Sequence, residues 1–327
     1  MIRFLLWAVS VPVLIILYYG YNLQGLMRSE TLDLPEQYTQ VSQGETFHSL
    51  CAKWQSQQAL ESCFPYKLYS KLQPQKFTLK AGVYELRGLT VLTAIEKVHR
   101  GDKADFTFTI IEGDTYKTII ENLKKSAFLI FDIPDEPSEG FIQFGNGHPE
   151  GWLYPDTYHY EGLTDASALL QRAHTKMQSV LSEAWEKRGD NVPLKSDYEA
   201  LILASIIEKE SGQAAERDII SSVFHNRLNK GMRLQTDPTV IYGLGERFRG
   251  DIKKSHLREY TPYNTYRIDR LPPTPIAMPS KDALFAAVQP ANTDFLYFVS
   301  KGNGAHYFSK SLKEHNRAVR KYILNEQ

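Results

Sequence analysis

The sequence predicts an α+β protein carried behind a single N-terminal membrane anchor. Three observations lead there. A charge-free apolar run occupies the amino terminus, and a strand-then-helix pattern occurs twice in the first half. Helical and strand patterns then mix without the βαβ alternation of a parallel sheet. With 327 residues, the chain is long enough for two domains once a tail is subtracted. Its 38 basic and 38 acidic residues balance, so no basic footprint for nucleic acid exists. Tyr (19), Phe (16) and Trp (4) suit a carbohydrate or peptide surface as well as a large core.

The apolar run is FLLWAVSVPVLIILYYGYNLQGLM, which follows Arg3 and stays free of charge until Arg28. About 20 apolar residues suffice for one membrane-spanning helix. A cleavable signal peptide is the alternative, but it has a shorter apolar core and an A-x-A-like exit. Here the exit is YYGYNLQG, with aromatics where a spanning helix is anchored. Residues 1–30 are therefore read as a cytoplasmic stub and single-pass anchor, with the bulk of the chain outside the cytoplasm. Cys51 and Cys63 are the only cysteines. Outside the cytoplasm they could be bridged, and their spacing alone leaves that open.

GETFHSL (44–50) and GDTYKTI (113–119) share one pattern: Gly, acid, Thr, aromatic, any, Ser/Thr, aliphatic. Each follows a β-type stretch, QYTQV or DFTFTIIE, and each Thr is placed to cap a helix. Chance similarity of two caps is the alternative. The pattern resembles the opening of LysM-type modules, which bind glycans containing N-acetylated amino sugars. Between the repeats, LKAGVYEL reads as a strand. TVLTAIEKVHRG reads as a helix with Val91, Ala94, Ile95 and Val98 on one face, closed near Gly101. This organisation places a first LysM-like module at 31–104 and a second region at 105–327. The latter opens with the second strand–helix unit, at about 105–125.

Beyond residue 125, DIPDEPSEGFIQFGNGHPE reads as loop and EGWLYPDTYHY as an aromatic-dense segment. A long helix is expected over about 165–188. A second begins near Asp197 behind the capping box Ser196-x-x-Glu199 and stops at Gly212. A third follows over roughly 214–230, then a polar loop, LQTDPTVIYGLG, and the proline-rich TPYNTYRIDRLPPTPIAMPS. A helix at 281–289, the strand FLYFVS and a last helix behind Ser311-x-x-Glu314 complete the chain.

The helix ending IIEKESG carries two acids after an apolar run. Leu203, Ile206 and Ile207 share a face with Glu210, whereas Leu201, Ala204 and Ser205 share one with Glu208. Glu210 sits in the final turn, where the negative end of the macrodipole disfavours an anion. Burial beside isoleucines pushes the same way, toward a carboxyl that keeps its proton as a general acid must. The plainer reading is that both acids pair with Lys209, Arg217 or Arg227.

The run ASIIEKESGQAAERDIISSVFHNRLNKGMRLQTDPTVIYGLG (204–245) resembles the endolytic murein transglycosylases, the YceG-like family. So do EGWLYPDTY (150–158), PYNTY (262–266), LPPTPI (271–276) and AHYF (305–308). The resemblance implies a single-pass inner-membrane protein whose bulk lies in the periplasm and cuts within nascent peptidoglycan strands, with peptidoglycan synthases as candidate partners. It implies that the catalytic residue is the glutamate followed by Ser, here Glu210-Ser211, on a helix end as in lytic transglycosylases. It also implies sugar-binding roles for Ser211, Asn226, Arg227, Gln235, Asp237, Tyr263, Asn264 and Tyr266. Each of these could instead be a cap, an ion-pair partner or core. Glu150 and Asp156 are competing carboxyls, and His306 is a possible support. No H-E-x-x-H, phosphate loop or G-x-S-x-G elbow occurs, so no metal or cofactor is expected. A non-catalytic murein-binding scaffold and a hydrolytic muramidase are the rival functions.

Overall fold

The computed structural model describes residues 29–134 and 147–324, together with 18, 20–22, 25, 142 and 144. The expected anchor lies largely outside the described residues. Among those described, no helix is long and apolar enough to cross a membrane. The chain divides into two compact units. The first comprises 1–107, 127–130 and 159–164. The second comprises 108–126, 131–158 and 165–327.

In the first unit, β1 (Tyr38–Val41) leads into α1 (Phe47–Ser56), α2 (Phe64–Leu72) and β2 (Gly82–Glu85), and then α3 (Val91–Arg100). The outer strands pair antiparallel, from Tyr38↔Glu85 to Val41↔Gly82. Leu50, Trp54, Tyr66, Tyr84, Leu86 and Ile95 fill the core beneath them. The expected face of α3 is the buried one, Val91, Ala94, Ile95 and Val98, and Gly101 ends it in the left-handed conformation. Cys51 and Cys63 are bridged, tying α1 to the start of α2.

The repeat is real at the level of atoms. Thr46 accepts a hydrogen bond from the backbone N of Ser49, and Thr115 from that of Thr118. Gly44 and Gly113 both adopt positive φ, 78° and 81°. In each copy the acid reaches back to the backbone three residues earlier, Glu45 to Ser42 N (2.8 Å) and Asp114 to Ile111 N (3.2 Å). The second copy consists of β3 (Asp105–Ile110) and α4 (Tyr116–Leu123). The short β4 (Leu129–Ile130), β5 (Asp156–Glu161) and β6 (Thr164–Asp165) follow, with β3 paired to β5 and β4 to β6.

The second unit is built on α5 (Ala166–Glu186), α6 (Asp197–Glu210), α7 (Arg217–Asn229), α8 (Asp237–Leu244), α9 (Lys254–Arg258) and α10 (Lys281–Val288). The hairpin β7 (Tyr297–Ser300) and β8 (His306–Ser309) and the closing α11 (Leu312–Tyr322) complete it. Every residue of α6 from Ala200 to Ile207 is buried. A helix apolar on all sides belongs at the centre, and α5, α7, α8 and α10 pack around it.

One expectation needs correction. LQTDPTVIYGLG is not a loop, because it is helical from Asp237 to Leu244, as α8. Asp237 opens the helix with Pro238 in its first turn, where a missing N–H costs nothing. Thr239, Val240 and Leu244 are buried, so packing outweighs the weak helix propensity of the segment. The stop expected at Gly212 holds: the helix ends at Glu210 with Ser211 as its C-cap, in extended conformation, and a Cβ at Gly212 would stand only 3.1 Å from Gly304 O, a close approach that favours glycine.

Candidate active site

At the end of α6 the two acids go to different work. Glu208 is nearly closed off: it accepts hydrogen bonds from Ser280 N (2.9 Å) and Ser280 Oγ and pairs with Arg217 at 3.0 Å. Ser280 caps α10, so Glu208 locks that helix onto α6. Arg217 also donates through Nε to Ser211 Oγ at 3.1 Å. The ion-pair reading therefore holds for Glu208. Glu210 has no basic partner within ion-pair distance among the described residues.

Glu210 instead borders a cleft of about 310 Å³. Its one hydrogen bond among the described residues comes from the Thr236 hydroxyl, which donates to Oε1. Thr236 is itself clamped. Thr265 and Thr239 both donate to its carbonyl, at 3.2 and 2.8 Å, and its N–H donates to Thr265 Oγ1 at 3.0 Å. All three threonines are buried. The preceding Gln235 has φ 50°, a left-handed backbone that a non-glycine residue tolerates only when its surroundings enforce it. Burial raises the Glu210 carboxyl above its ordinary range. The Thr236 hydrogen bond lowers it, the Asp237 charge raises it and His306 lowers it. The net direction is upward, as a general acid requires.

Arg227 lines the same cleft. Its guanidinium is desolvated and held by carbonyls, donating to Leu296 O (2.7 Å), Leu234 O (2.8 Å) and Arg233 O (3.2 Å), and it lies 5.0 Å from the centre of the Tyr297 ring. Asp237 accepts from Tyr266 at 2.6 Å. Tyr297 and His315, which also line the cleft, stack with centroids 5.2 Å apart.

Of the residues singled out in the sequence, Arg227, Gln235, Asp237 and Tyr266 come together with Glu210 around this cleft. The others are placed elsewhere. Asn226 supports the approach to β7 by donating to Thr293 O and Phe295 O. Asn264 is fully buried and binds the backbone of His256, Leu257 and Glu259. The Tyr263 hydroxyl meets Thr274 at 2.8 Å. Glu150 is buried away from the cleft lining, accepting from Tyr116 N and Tyr242 OH, both at 3.0 Å, and burial pushes its carboxyl up to about 7. Asp156 is exposed and paired with Lys176. His306 Nδ1 lies 2.8 Å from Glu216 Oε2, with its ring edge-on to Phe298 of the cleft wall. Sequence reasoning missed Thr236, although it stands inside LQTDPT. It also missed Tyr297, Phe298, Leu312 and His315, which only the hairpin and α11 bring to the cleft.

Residues 39–321 match the YceG-like family. The chain belongs to that family. Among its relatives is the endolytic murein transglycosylase of Bacillus subtilis, 34% identical over 76% of this chain and 74% of that one. The Streptococcus pneumoniae enzyme of the same name is 30% identical over 53% of this chain, which matches 32% of its length. A crystal structure of the yceG-like protein of Listeria monocytogenes superposes with a TM-score of 0.54 at 28% identity, covering 86% of this chain and 98% of that one. The YceG-like match takes in the whole Glu210 cleft, from α6 to α11.

Proposed function

We propose that this YceG-like protein is a peptidoglycan lytic transglycosylase that cuts within glycan strands, with Glu210 as its single acid–base. The observation that carries the reading is the raised Glu210 carboxyl, bordering a cleft and anchored through one oxygen only. The names of the relatives supply the substrate class. Protonated Glu210 gives its proton to the oxygen linking N-acetylmuramic acid to N-acetylglucosamine, and the C1–O bond breaks. The carboxylate, steadied by the Thr236 hydroxyl, then takes the proton of the muramyl 6-hydroxyl as that oxygen bonds to C1. The products are a 1,6-anhydromuramyl end and a free N-acetylglucosamine hydroxyl, with no water consumed. A two-carboxylate site is not needed when the sugar supplies the nucleophile.

A muramidase is the second reading, and Asp237 favours it, because a hydrolase needs a further carboxylate to direct water and Asp237 lines the same cleft. Digestion of purified strands, with mass analysis of the products, separates the two. Anhydro ends support transglycosylation, reducing ends support hydrolysis, and uncut strands support a scaffold. Glu210→Gln is expected to abolish cleavage whichever enzyme reading holds.

The rest of the reading concerns location. The run 4–27 is taken to anchor the chain in the inner membrane with its body outside the cytoplasm. The Cys51–Cys63 bridge supports an oxidising compartment. The order β1-α1-α2-β2 with antiparallel outer strands supports a LysM-like first unit. Peptidoglycan synthases are its proposed partners.

A further inference from the structure

Helix α2 presents an apolar face to solvent. Phe64, Leu68 and Leu72 are 75%, 48% and 71% exposed. Their spacing at i, i+4 and i+8 puts all three on one stripe, while Tyr66 and Ser70 point into the core. A soluble helix of nine residues ordinarily turns such a stripe inward. Lys67 and Lys71 flank it on one side and Lys76 follows, against the single carboxylate of Glu61, so the surroundings over 60–77 are basic. An apolar stripe edged with lysines matches a helix lying in the headgroup region of an anionic bilayer.

Two further observations say what covers this face. The apolar run ends at Met27, and by Leu32 the chain is already pinned, its N–H bonded to Leu89 O at 2.9 Å. Four residues at most separate the proposed membrane segment from the folded unit. Within that short link, Glu30 accepts a hydrogen bond from the hydroxyl of Tyr66, which belongs to α2 itself. The disulfide then holds the start of α2 against α1, so the helix cannot swing away. Extended chain spans at most about 3.6 Å per residue, which keeps the stripe close to the point where the chain leaves the bilayer.

We propose that the exposed stripe of α2, Phe64, Leu68 and Leu72, seats on the lipid surface, with Lys67 and Lys71 on acidic headgroups. This rests on the reading of residues 4–27 as an anchor. It adds that the first unit lies down on the bilayer instead of hanging from it by a free tether.

The test uses the full chain with Phe64→Trp, a substitution at an exposed site. It is reconstituted in phosphatidylethanolamine/phosphatidylglycerol vesicles with or without bromine on the acyl chains. After subtraction of the unsubstituted chain, the added emission is expected to be blue-shifted and to fall by roughly half on bromination, as for a side chain within the acyl boundary. Trp7, inside the apolar run, reports on the anchor separately, as the part of the bromine quenching of the unsubstituted chain that is lost in Trp7→Phe. If the protein floats with vesicles and Trp7 is quenched but the residue-64 signal is not, the proposal is overturned while the anchor stands. A residue-64 signal that is blue-shifted yet unquenched overturns it too, since protein then covers the face. A chain that fails to float overturns the anchor and this inference together.

Discussion

Burial raises the Glu210 carboxyl while the Thr236 hydroxyl pulls it back, so the two groups together set the pH range over which the acid holds its proton. A hydrogen bond to an ionised group contributes about 1.5–3 kcal/mol. Thr236→Val should therefore lower turnover by roughly 10- to 100-fold, and Thr236→Ser by only a few-fold. The pH profile carries the sign. Cleavage by a protonated acid fails as pH climbs past its pKa, so the alkaline limb moves upward in Thr236→Val, where a lowering interaction is gone. It moves downward in Asp237→Asn, where a raising charge is gone. Strand cleavage measured across pH in the three variants checks both directions. Glu150 gives a stability counterpart. Its carboxyl is raised from 4.5 to about 7, so the folded state holds the proton more tightly than the unfolded chain. That contribution is full below pH 4.5 and is lost as pH rises through 7, about 3 kcal/mol in all. Glu150→Gln resembles the protonated form. Melting temperatures from pH 4.5 to 7.5 should fall less steeply for the variant than for the wild type, because the raised Glu210 carboxyl remains in both.

Elements were legible where a cap or a one-sided pattern announced them. Ser196, Ser280 and Ser311 each accept from the N–H three residues on, and the helices behind them begin where the sequence says. The separation of Glu208 from Glu210 was legible as well, because helical geometry alone fixes it. Helix α8 was not, since Thr-Asp-Pro and Gly243 read locally as a loop and only burial against α6 reveals the helix. Part of the cleft lining was hidden for a different reason. Tyr297 and His315 reach it through a hairpin and a following helix, a long-range arrangement with no local signature. The paired caps Thr46 and Thr115 offer a test at this scale. Loss of an N-cap hydroxyl costs about 1 kcal/mol, so Thr46→Ala and Thr115→Ala should each lose that much in denaturant titration. Hydrogen exchange should localise the first loss to α1 and the second to α4.

At the scale of the molecule, the disulfide lies wholly within the first unit, whose buried cluster draws on residues 32–98 alone. The second unit has its own core around α6 and no cysteine. A cross-link acts mainly by restricting the unfolded chain, and a bridge that closes a loop of this length stabilises by about 3 kcal/mol. Reduction should therefore act on one unit and spare the other. For a unit of about 100 residues, that loss corresponds to a drop of roughly 10–20 °C in its melting temperature. Calorimetry with and without reductant should show one transition moving down and the other staying in place. The unmoved transition should be the one that Glu150→Gln alters, because Glu150 belongs to the second unit. The two perturbations together thus assign each transition to its unit. If reductant and Glu150→Gln shift the same transition, the two units melt as one body and the separate cores do not act independently.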